Sequence, residues 1–229
     1  MAPGPVRAMR RVLHYRNLVV RQATRMKNRI AGLLMETGTP YNKQKLHGKA
    51  YFIELLGSLR QMPDAVELLQ LSRGQWELFD SIQKRLLKER QQRPELSQRV
   101  EGLQTIPSVG EILALTWALE IGEVSRFSAI GEACSYCGLT SAERNSAGVE
   151  QRGPISKQRN KHLQTILIEA AKLAPRFHPQ LAAVHQRELQ RGNRNRTTLA
   201  VARKLVAYLM AVDKSGKPFQ LRTSVVEQV

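Results

Sequence analysis

Apolar residues near the start of the chain recur at spacings of three and four, the period of an amphipathic α-helix. An arginine-rich face lies opposite the apolar stripe, whose members are Leu13, Leu18, Val19, Ala23, Met26, Ile30, Leu33 and Leu34. This pattern predicts a helix from about Val6 to Met35, ended by Gly38 and Pro40. A polar, basic loop over 41–49 and a second helix over 50–61 are expected to follow.

A third, long helix is predicted from Asp64, a residue suited to capping a helix N-terminus, to about Gln91. Its apolar positions also form a narrow stripe: Ala65, Leu68, Leu69, Ser72, Trp76, Phe79, Ile82 and Leu86. Long helices with narrow stripes need a partner in water. Residues 7–92 are therefore expected to form an antiparallel helical hairpin or a coiled coil. The same stripes could pair with a second chain, so a homo-oligomer is also expected.

Residues 94–119 are predicted to form two helices joined by the turn Thr-Ile-Pro-Ser-Val-Gly, which ends at Gly110. A hydrophobic-Pro-x-hydrophobic-Gly turn is typical of a helix-hairpin-helix, whose backbone N–H groups bind a DNA phosphate without reading sequence. Ser108 stands where such turns usually have a second glycine. The alternative is a tight turn with a purely structural role.

The rest of the chain is also predicted to be helical. Ser128 is expected to cap a short helix that carries Cys134 and Cys137 and stops at Gly138. A Gly- and Ser-rich loop with room for one short β-hairpin around 148–156 comes next. Further helices are predicted over 157–174, 179–190 and 195–213. The expected fold class is all-α, with a linker at 1–92 and a helical domain at 93–229.

The distribution of charge along the chain indicates that the protein binds a polyanion. The formal net charge is +17, and residues 1–49 hold 11 Lys/Arg against one acid, Glu36. Residues 150–229 hold 15 bases and five acids, whereas the middle is slightly acidic. Two basic ends on one scaffold favour nucleic acid as the partner.

Other classes of protein are disfavoured by the composition. No stretch approaches the length of a membrane span, and no signal peptide follows Met1, so a cytoplasmic protein is expected. The pair Cys134 and Cys137 lacks two further ligands at zinc spacing and a redox context, so we interpret it as packing and expect no metal.

The loop over 138–160 carries the candidate chemistry. Ser146 lies beside Ala147 and Gly148, which leave its hydroxyl uncrowded, and the nearby bases are Arg144, Arg152, Lys157, Arg159 and Lys161. A serine among phosphate-binding groups can attack a phosphodiester, since the cations neutralise the developing charge. From residue types alone, a serine that only hydrogen-bonds the loop or a phosphate is the commoner case.

Four motifs in order resemble the C-terminal domain of the DEDD/serine transposases, the "IS-one-ten" group of bacterial insertion sequences. They are LQTIPSVGEILALTWALEIGEVSRF, ACSYCGLTSAERNSAG, RGPISKQRNKHLQTILIEAA and the closing VARKLVAYLMAVDKSGKPF. The Arg-rich first helix resembles the family's coiled-coil linker. The resemblance covers nearly the whole chain.

The resemblance implies that Ser146 is the nucleophile, although Ser-Ala-Gly replaces the family's Ser-Gly here. Ser141 stands where the family often has proline and is the residue to exclude. The family's magnesium is held by four acidic residues of an N-terminal RuvC-like domain, which precedes the part matched here. The expectation is therefore no cofactor in this chain, with Mg²⁺ in that other domain.

Three interpretations follow. The chain is the C-terminal portion of a DNA transposase, incomplete as an enzyme alone, whose serine attacks a DNA phosphodiester during recombination. Alternatively, it is a helix-hairpin-helix DNA-binding protein without chemistry, or the inactive product of a truncated reading frame. Some members of the family are guided by a bridge RNA, so a guide RNA is a candidate second partner.

Overall fold

The computed structural model of the chain describes residues 4–88, 94–146, 149–155 and 159–220. Side-chain surroundings are described for these residues except at 85–88, 95, 142–146 and 149–155. The fold is all-α with one two-stranded β-hairpin, as the sequence predicts. Two compact units make up the structure: Ala8–Gln92, and Arg93–Val229 together with Met1–Arg7.

The unit Ala8–Gln92, here the linker unit, contains three helices. They are α1 (Gly4–Glu36), α2 (Lys49–Ser58) and α3 (Pro63–Lys88). Helix α1 ends before Gly38, whose φ of +67° is a left-handed conformation that glycine adopts without strain. The predicted cap at Asp64 is wrong: Pro63 begins α3, and Asp64 lies in its first turn, where a carboxylate favours the helix dipole.

One cluster of buried side chains holds the linker unit together and draws on all three helices. Its members are Ile30, Leu33, Leu34, Leu46, Phe52, Leu55, Leu59 and Leu69. Farther from this cluster, the Lys27 Nζ lies 4.8 Å from the ring centroid of Trp76. Lys27 of α1 lies beside Trp76 of α3, whereas Leu34, two turns later in α1, shares the core cluster with Leu69, two turns earlier in α3. Helices α1 and α3 therefore run antiparallel.

The outer surface of α3 carries a second apolar stripe, which the core does not use. Leu68, Leu71 and Leu78 are 44%, 56% and 57% exposed. With Gln75 and Ile82 they follow alternating spacings of three and four, the heptad pattern of a coiled-coil seam. We call these five residues the α3 seam.

The other unit contains six helices and the β-hairpin among its described residues, and we call it the catalytic-type unit because it contains the predicted nucleophile Ser146. The helices are α4 (Pro94–Gln104), α5 (Glu111–Ile121), α6 (Ile130–Tyr136), α7 (Lys161–Leu173), α8 (Pro179–Leu189) and α9 (Arg194–Ser215). Short 3-10 turns occur at Val124–Arg126 and Ala174–Arg176.

Two predicted helix starts in this unit are wrong. Helix α7 begins at Lys161 instead of 157, because the side chain of Asn160 caps it. Helix α6 has Ala129 at its cap position. The Ser128 backbone N–H and hydroxyl donate instead to the Glu132 carboxylate, at 2.9 Å each.

Helix α5 forms the centre of the catalytic-type unit. Its residues 113–121 are all buried, which its nearly continuous apolar sequence requires. One charged group is buried beside it: Asp213 of α9 accepts hydrogen bonds from the Arg99 guanidinium at 2.7 Å and from the Trp117 indole at 2.8 Å. Arg99 also donates to two backbone carbonyls, so its donors are well satisfied.

Candidate serine hairpin and nucleic-acid interface

The candidate nucleophile lies on the β-hairpin, here called the serine hairpin, which consists of β1 (Ser141–Ser146) and β2 (Val149–Ile155). The strands are antiparallel, and Ser146 pairs with Val149 at the turn end. Arg144 pairs with Gln151, and Glu143 pairs with Arg152. Lys157 falls outside the described residues.

The residues on both sides of the serine hairpin are hydrogen-bonded to the helical core. Asn160 follows β2, and its side-chain amide donates to the buried Glu120 carboxylate at 2.6 Å. The Asn160 backbone N–H donates to the Tyr136 carbonyl at 2.9 Å, and the Tyr136 hydroxyl donates to the Glu120 carbonyl at 3.1 Å. A buried carboxylate with specific donors holds Asn160, five residues after the end of β2, in one position.

The chain entering the serine hairpin is held from α7 and α9. The side-chain amide of Gln164 donates to the Gly138 carbonyl at 2.6 Å, and the Arg203 guanidinium donates to the Leu139 carbonyl at 2.8 Å. Gly138 has a φ of +69°, and a Cβ there would lie 2.5 Å from the Arg159 Cβ. Glycine is therefore required at 138 both for its conformation and for its close approach to Arg159.

The start of α7 is less available to a phosphate than the sequence suggests. Asn160 Oδ1 accepts from the backbone N–H groups of His162 and Leu163, at 3.0 and 3.1 Å. These are the groups that would otherwise bind an anion. Arg159 and Lys161 flank this cap and are only partly buried or exposed, so their charges remain at the surface.

The turn between α4 and α5, unlike the segment before α7, supplies no side-chain cap to the helix that follows. Gly110 is the N-cap of α5 and supplies no side-chain hydrogen bond, and nothing lies within 4 Å of where its Cβ would be. Ser108 has a φ of +74°, the only positive φ of a non-glycine residue among those described. This explains why a glycine is usual at that position in turns of this kind.

The segment after α9 is tied to the same turn. The backbone N–H of Phe219 donates to the Thr105 hydroxyl at 2.8 Å, and Thr105 is the first residue after α4. The turn between α4 and α5 is thus supported from a part of the chain more than a hundred residues away.

The two cysteines are buried and free, in keeping with the packing interpretation. Burial raises the pKa of both thiols, most strongly that of Cys137, so neither is a thiolate at neutral pH. Within the part of the chain that the structure describes, no three His, Cys, Asp or Glu side chains converge as a metal site would need. No helix in the described ranges is long and apolar enough to span a membrane.

Sequence reasoning missed the polar cluster at the base of the serine hairpin. Its side chains belong to Glu120, Tyr136, Asn160, Gln164 and Arg203. One signal was available: an asparagine directly before an amphipathic run is a common N-cap. The other members come from separate helices, so only the fold brings them together.

A comparison with protein families matches part of this chain. The model described as "Transposase IS116/IS110/IS902 family" matches residues 100–186, which run from α4 through the serine hairpin and into α8. The match therefore includes Ser108, Gly110 and Ser146 together with the polar cluster members up to Gln164.

Curated relatives carry similar names. A Pseudomonas aeruginosa protein named "Probable family 20 transposase" is 26% identical over 217 residues, 90% of this chain and 62% of that protein. A Sinorhizobium fredii protein named as transposase y4qE is 33% identical over 69 residues, 30% of this chain and 18% of that protein. The chain thus spans less than two thirds of the length of either relative.

Proposed function

We propose that the chain is the DNA-joining portion of an insertion-sequence transposase, because residues 100–186 match the model of the transposase IS116/IS110/IS902 family. In this proposal it binds DNA and attacks a phosphodiester with Ser146. The observation that supports the proposal is the serine hairpin, which is flanked on both sides by residues that are hydrogen-bonded to the helical core. A nucleophile must be held within a fraction of an ångström of its target, and hydrogen-bonded flanking residues serve that need.

The strand register distinguishes the two arginines of the hairpin, Arg144 and Arg152. Residues two apart on a strand, and residues directly paired across a hairpin, share one face of the sheet. On β1, Arg144 lies two residues before Ser146, whereas Arg152 lies on β2 and pairs with Glu143. We propose that Arg144 stabilises the charge that develops on the attacked phosphate and that Arg152 contributes less.

The proposed step is a phosphoryl transfer to serine. The Ser146 oxygen forms a bond to phosphorus, the bond from phosphorus to the 3′ oxygen breaks, and a phosphoserine remains. The serine proton passes to a base, and the departing 3′ oxygen takes up a proton or a cation. Cations near the phosphate lower the barrier because the phosphorane carries more negative charge than the diester. Arg159 and Lys161, next to the base of the hairpin, supply further positive charge.

Magnesium is the metal that the family resemblance implies, and the described residues do not fit it. They contain no converging set of three potential ligands, and the nearest buried carboxylate, Glu120, is already hydrogen-bonded to Asn160. We therefore derive no step through a metal in this part of the protein. We propose that the acidic ligands are supplied from another domain or another protein.

DNA contact is proposed through the turn between α4 and α5 and through the basic surface of α1. Gly110 leaves the start of α5 uncovered, so backbone N–H groups can approach a phosphate. Glu111 in the first turn opposes an anion there, which makes this contact modest. Helix α1 carries Arg7, Arg10, Arg11, Arg16, Arg21, Arg25, Lys27 and Arg29. The binding should weaken with salt by a log–log slope of roughly −0.9 per phosphate neutralised.

Two further partners belong to this proposal. A second copy of the chain can pair through the α3 seam, which would make the protein a homo-oligomer. A guide RNA is consistent with the net charge of +17, since RNA is a polyanion.

The proposed chemistry is tested by trapping the protein–DNA adduct. The chain is incubated with donor DNA, magnesium and the N-terminal part of a relative, and the products are separated on a denaturing gel. A covalent adduct is expected with these components and is not expected from the chain alone. Ser146→Ala should abolish the adduct and leave DNA affinity within about twofold, because a neutral hydroxyl contributes little to polyanion binding.

Ser141→Ala is the matched control, since it removes a hydroxyl from the other end of the same strand. It should keep the adduct. An adduct that survives Ser146→Ala would refute the assignment of the nucleophile. Loss of DNA binding together with the adduct would mean that Ser146 is a phosphate contact and not a nucleophile.

A further inference from the structure

A groove of about 450 Å³ lies in the catalytic-type unit, away from the serine hairpin. Its walls are the start of α8, the second half of α9 and the segment that follows α9. Two aromatic side chains, Tyr208 and Phe219, and two lysines, Lys204 and Lys217, lie along it. None of the described lining residues is acidic. The groove thus combines aromatic surface with positive charge.

The aromatic side chains form a connected platform. The ring centroids of Tyr208 and Phe219 are 4.9 Å apart, and His178 stacks against Tyr208 at 5.4 Å and meets Phe219 at 5.6 Å. His178 is 1% exposed, and neither of its ring nitrogens has a hydrogen-bond partner. Burial, helped by Lys204, lowers the pKa of His178, so the ring is neutral at neutral pH. His178 therefore supports the platform as an aromatic ring and not as a cation.

The polar groups of the groove are fixed around this platform. The Tyr208 hydroxyl donates to the Gln180 side-chain carbonyl at 2.6 Å, which sets the ring position. The Lys204 Nζ lies 5.3 Å from the Tyr208 ring centroid. Lys217 is exposed two residues before Phe219. Both lysines line the groove together with the two aromatic rings, so a phosphate of a nucleotide held there would lie near positive charge.

The planes of the Tyr208 and Phe219 rings are inclined by 56°, so one base can stack on only one of them, and Tyr208 is already stacked by His178. We propose that this groove binds an unpaired nucleotide of a single-stranded nucleic acid, with the base on the Phe219 ring and the phosphates near Lys204 and Lys217. Aromatic stacking joined to a basic track is how single strands are bound without sequence preference. Base pairs in a duplex keep their faces covered, so the groove discriminates against duplex. The inference shares with the proposed function only the class of ligand.

The groove is connected to the turn between α4 and α5. The Phe219 backbone is hydrogen-bonded to Thr105, so the platform is joined to the turn between α4 and α5. A duplex bound at that turn and an unpaired nucleotide in the groove would therefore be neighbours. Such an arrangement suits DNA at a junction between paired and unpaired segments.

The test measures binding of the full chain by fluorescence anisotropy to three labelled probes: dT12, rU12 and a 12-base-pair DNA duplex. Phe219→Ala should weaken binding of the single strands by about fivefold or more and change duplex affinity by less than about twofold. Lys204→Gln with Lys217→Gln should also weaken single-strand binding and reduce its salt slope by roughly 0.7 per lysine. The preferred probe of dT12 and rU12 identifies the source of the single strand.

Two control variants match these changes. Phe177→Ala removes another phenylalanine of this unit, 63% exposed and outside the groove, and Lys172→Gln removes an exposed lysine of α7. Neither should change single-strand affinity. Circular dichroism checks that Phe219→Ala is folded. If Phe219→Ala is unfolded, the paired lysine variant, which alters exposed residues only, tests the groove in its place.

The inference is overturned if the groove variants bind single strands like the wild type, or if they lose single-strand and duplex binding equally. The wild-type chain separates the two proposals. Binding of single strands without duplex would support the groove and contradict the proposed DNA transposase function. Binding of duplex without single strands would do the reverse, and binding of neither would contradict both.

Discussion

The two units each contain an arginine–carboxylate pair at nearly the same distance, and the pairs differ in what surrounds them. In the catalytic-type unit, Arg99 and Asp213 are 2.7 Å apart, and the carboxylate is 3% exposed. In the linker unit, Arg73 and Glu77 are 2.6 Å apart, and the carboxylate is 55% exposed. The two distances alone would indicate ion pairs of equal strength. Solvent screening makes the exposed pair of Arg73 and Glu77 weak.

The same contrast extends to apolar surface. Among the described residues, the large apolar side chains left exposed are more numerous in the linker unit. They are Tyr15, Leu18, Met35, Ile53, Met62, Leu68, Leu71 and Leu78 there, against Ile130, Leu173, Phe177 and Leu189 in the other unit. The catalytic-type unit encloses its apolar helix α5 and satisfies its buried charge, while the linker unit leaves a usable seam on α3. The linker unit therefore leaves more large apolar side chains exposed than the other unit does, among the residues that the structure describes.

The largest expected effect comes from removing the buried carboxylate. Asp213→Ala should lower the free energy of unfolding of the catalytic-type unit by about 3 kcal/mol or more, because Arg99 loses its counter-charge and Trp117 loses its acceptor. Urea unfolding followed by circular dichroism measures this change.

Glu77→Ala is the matched control in the linker unit. It should cost less than about 1 kcal/mol, since Arg73 keeps its bond to the His47 carbonyl and its contact with the Trp76 ring, 4.4 Å from the centroid. Equal costs for the two variants would mean that burial does not distinguish the pairs, and the contrast between the units would fail.

The second prediction concerns the α3 seam. Leu71→Glu combined with Leu78→Glu should shift the full chain toward monomer, with at least about a tenfold weaker dimer constant, because two charges would enter an apolar interface. Light scattering across a range of protein concentrations measures the mass. Leu173→Glu alters a leucine of α7 that is 50% exposed and should leave the mass unchanged. A wild-type chain that is monomeric at all concentrations would contradict the proposed role of the seam.

The smallest expected effect concerns Ser108, the one non-glycine residue with a positive φ among those described. Ser108→Gly should stabilise the chain by about 1 kcal/mol, because the φ of +74° costs serine energy that glycine does not pay. DNA affinity should stay the same or improve. Thermal melting and a duplex binding titration measure the two effects, and a destabilised variant would show that the serine side chain is needed in the turn.

Gly110→Val serves as the opposite change in the same turn. It should weaken duplex binding several-fold, because a branched side chain at the N-cap blocks approach of a phosphate to the backbone N–H groups. The variant should remain folded, since no atom lies within 4 Å of the added Cβ. Gly131→Val places the same side chain at an equally open glycine of α6 and should not change the affinity. If Gly110→Val is folded and binds normally, the turn is structural only.

Local patterns predicted the elements of this fold well. The helical period identified α1, α3, α5 and α9 to within a few residues. The Gly- and Ser-rich loop does hold a β-hairpin, but its first strand begins at Ser141, before the predicted range of 148–156. The starts of α6 and α7 were wrong because side chains decide them: Asn160 caps α7, and Ser128 bonds to Glu132 instead of capping α6. Periodicity carries little information about such hydrogen bonds.

The polar clusters could not be predicted in the same way. Asp213 looked like one acid in a basic final helix, and only the packing of α9 against α4 and α5 makes it the partner of Arg99 and Trp117. Glu120 lies in an apolar helix, and its role depends on Asn160, forty residues later. The nucleophile assigned to Ser146 stays a prediction, because the side chains of that strand lie outside the described residues.

The pairing of Arg99 with Asp213 has a consequence for biosynthesis. The two residues are 114 positions apart, as are Thr105 and Phe219. At ribosomal speeds of about 5–20 residues per second, Arg99 emerges roughly 6 to 20 s before its partner exists. The core of the linker unit, between Ile30 and Leu69, is by then complete. During that interval the nascent chain carries the complete core of the linker unit, while Arg99 and Trp117 still lack the carboxylate that joins them.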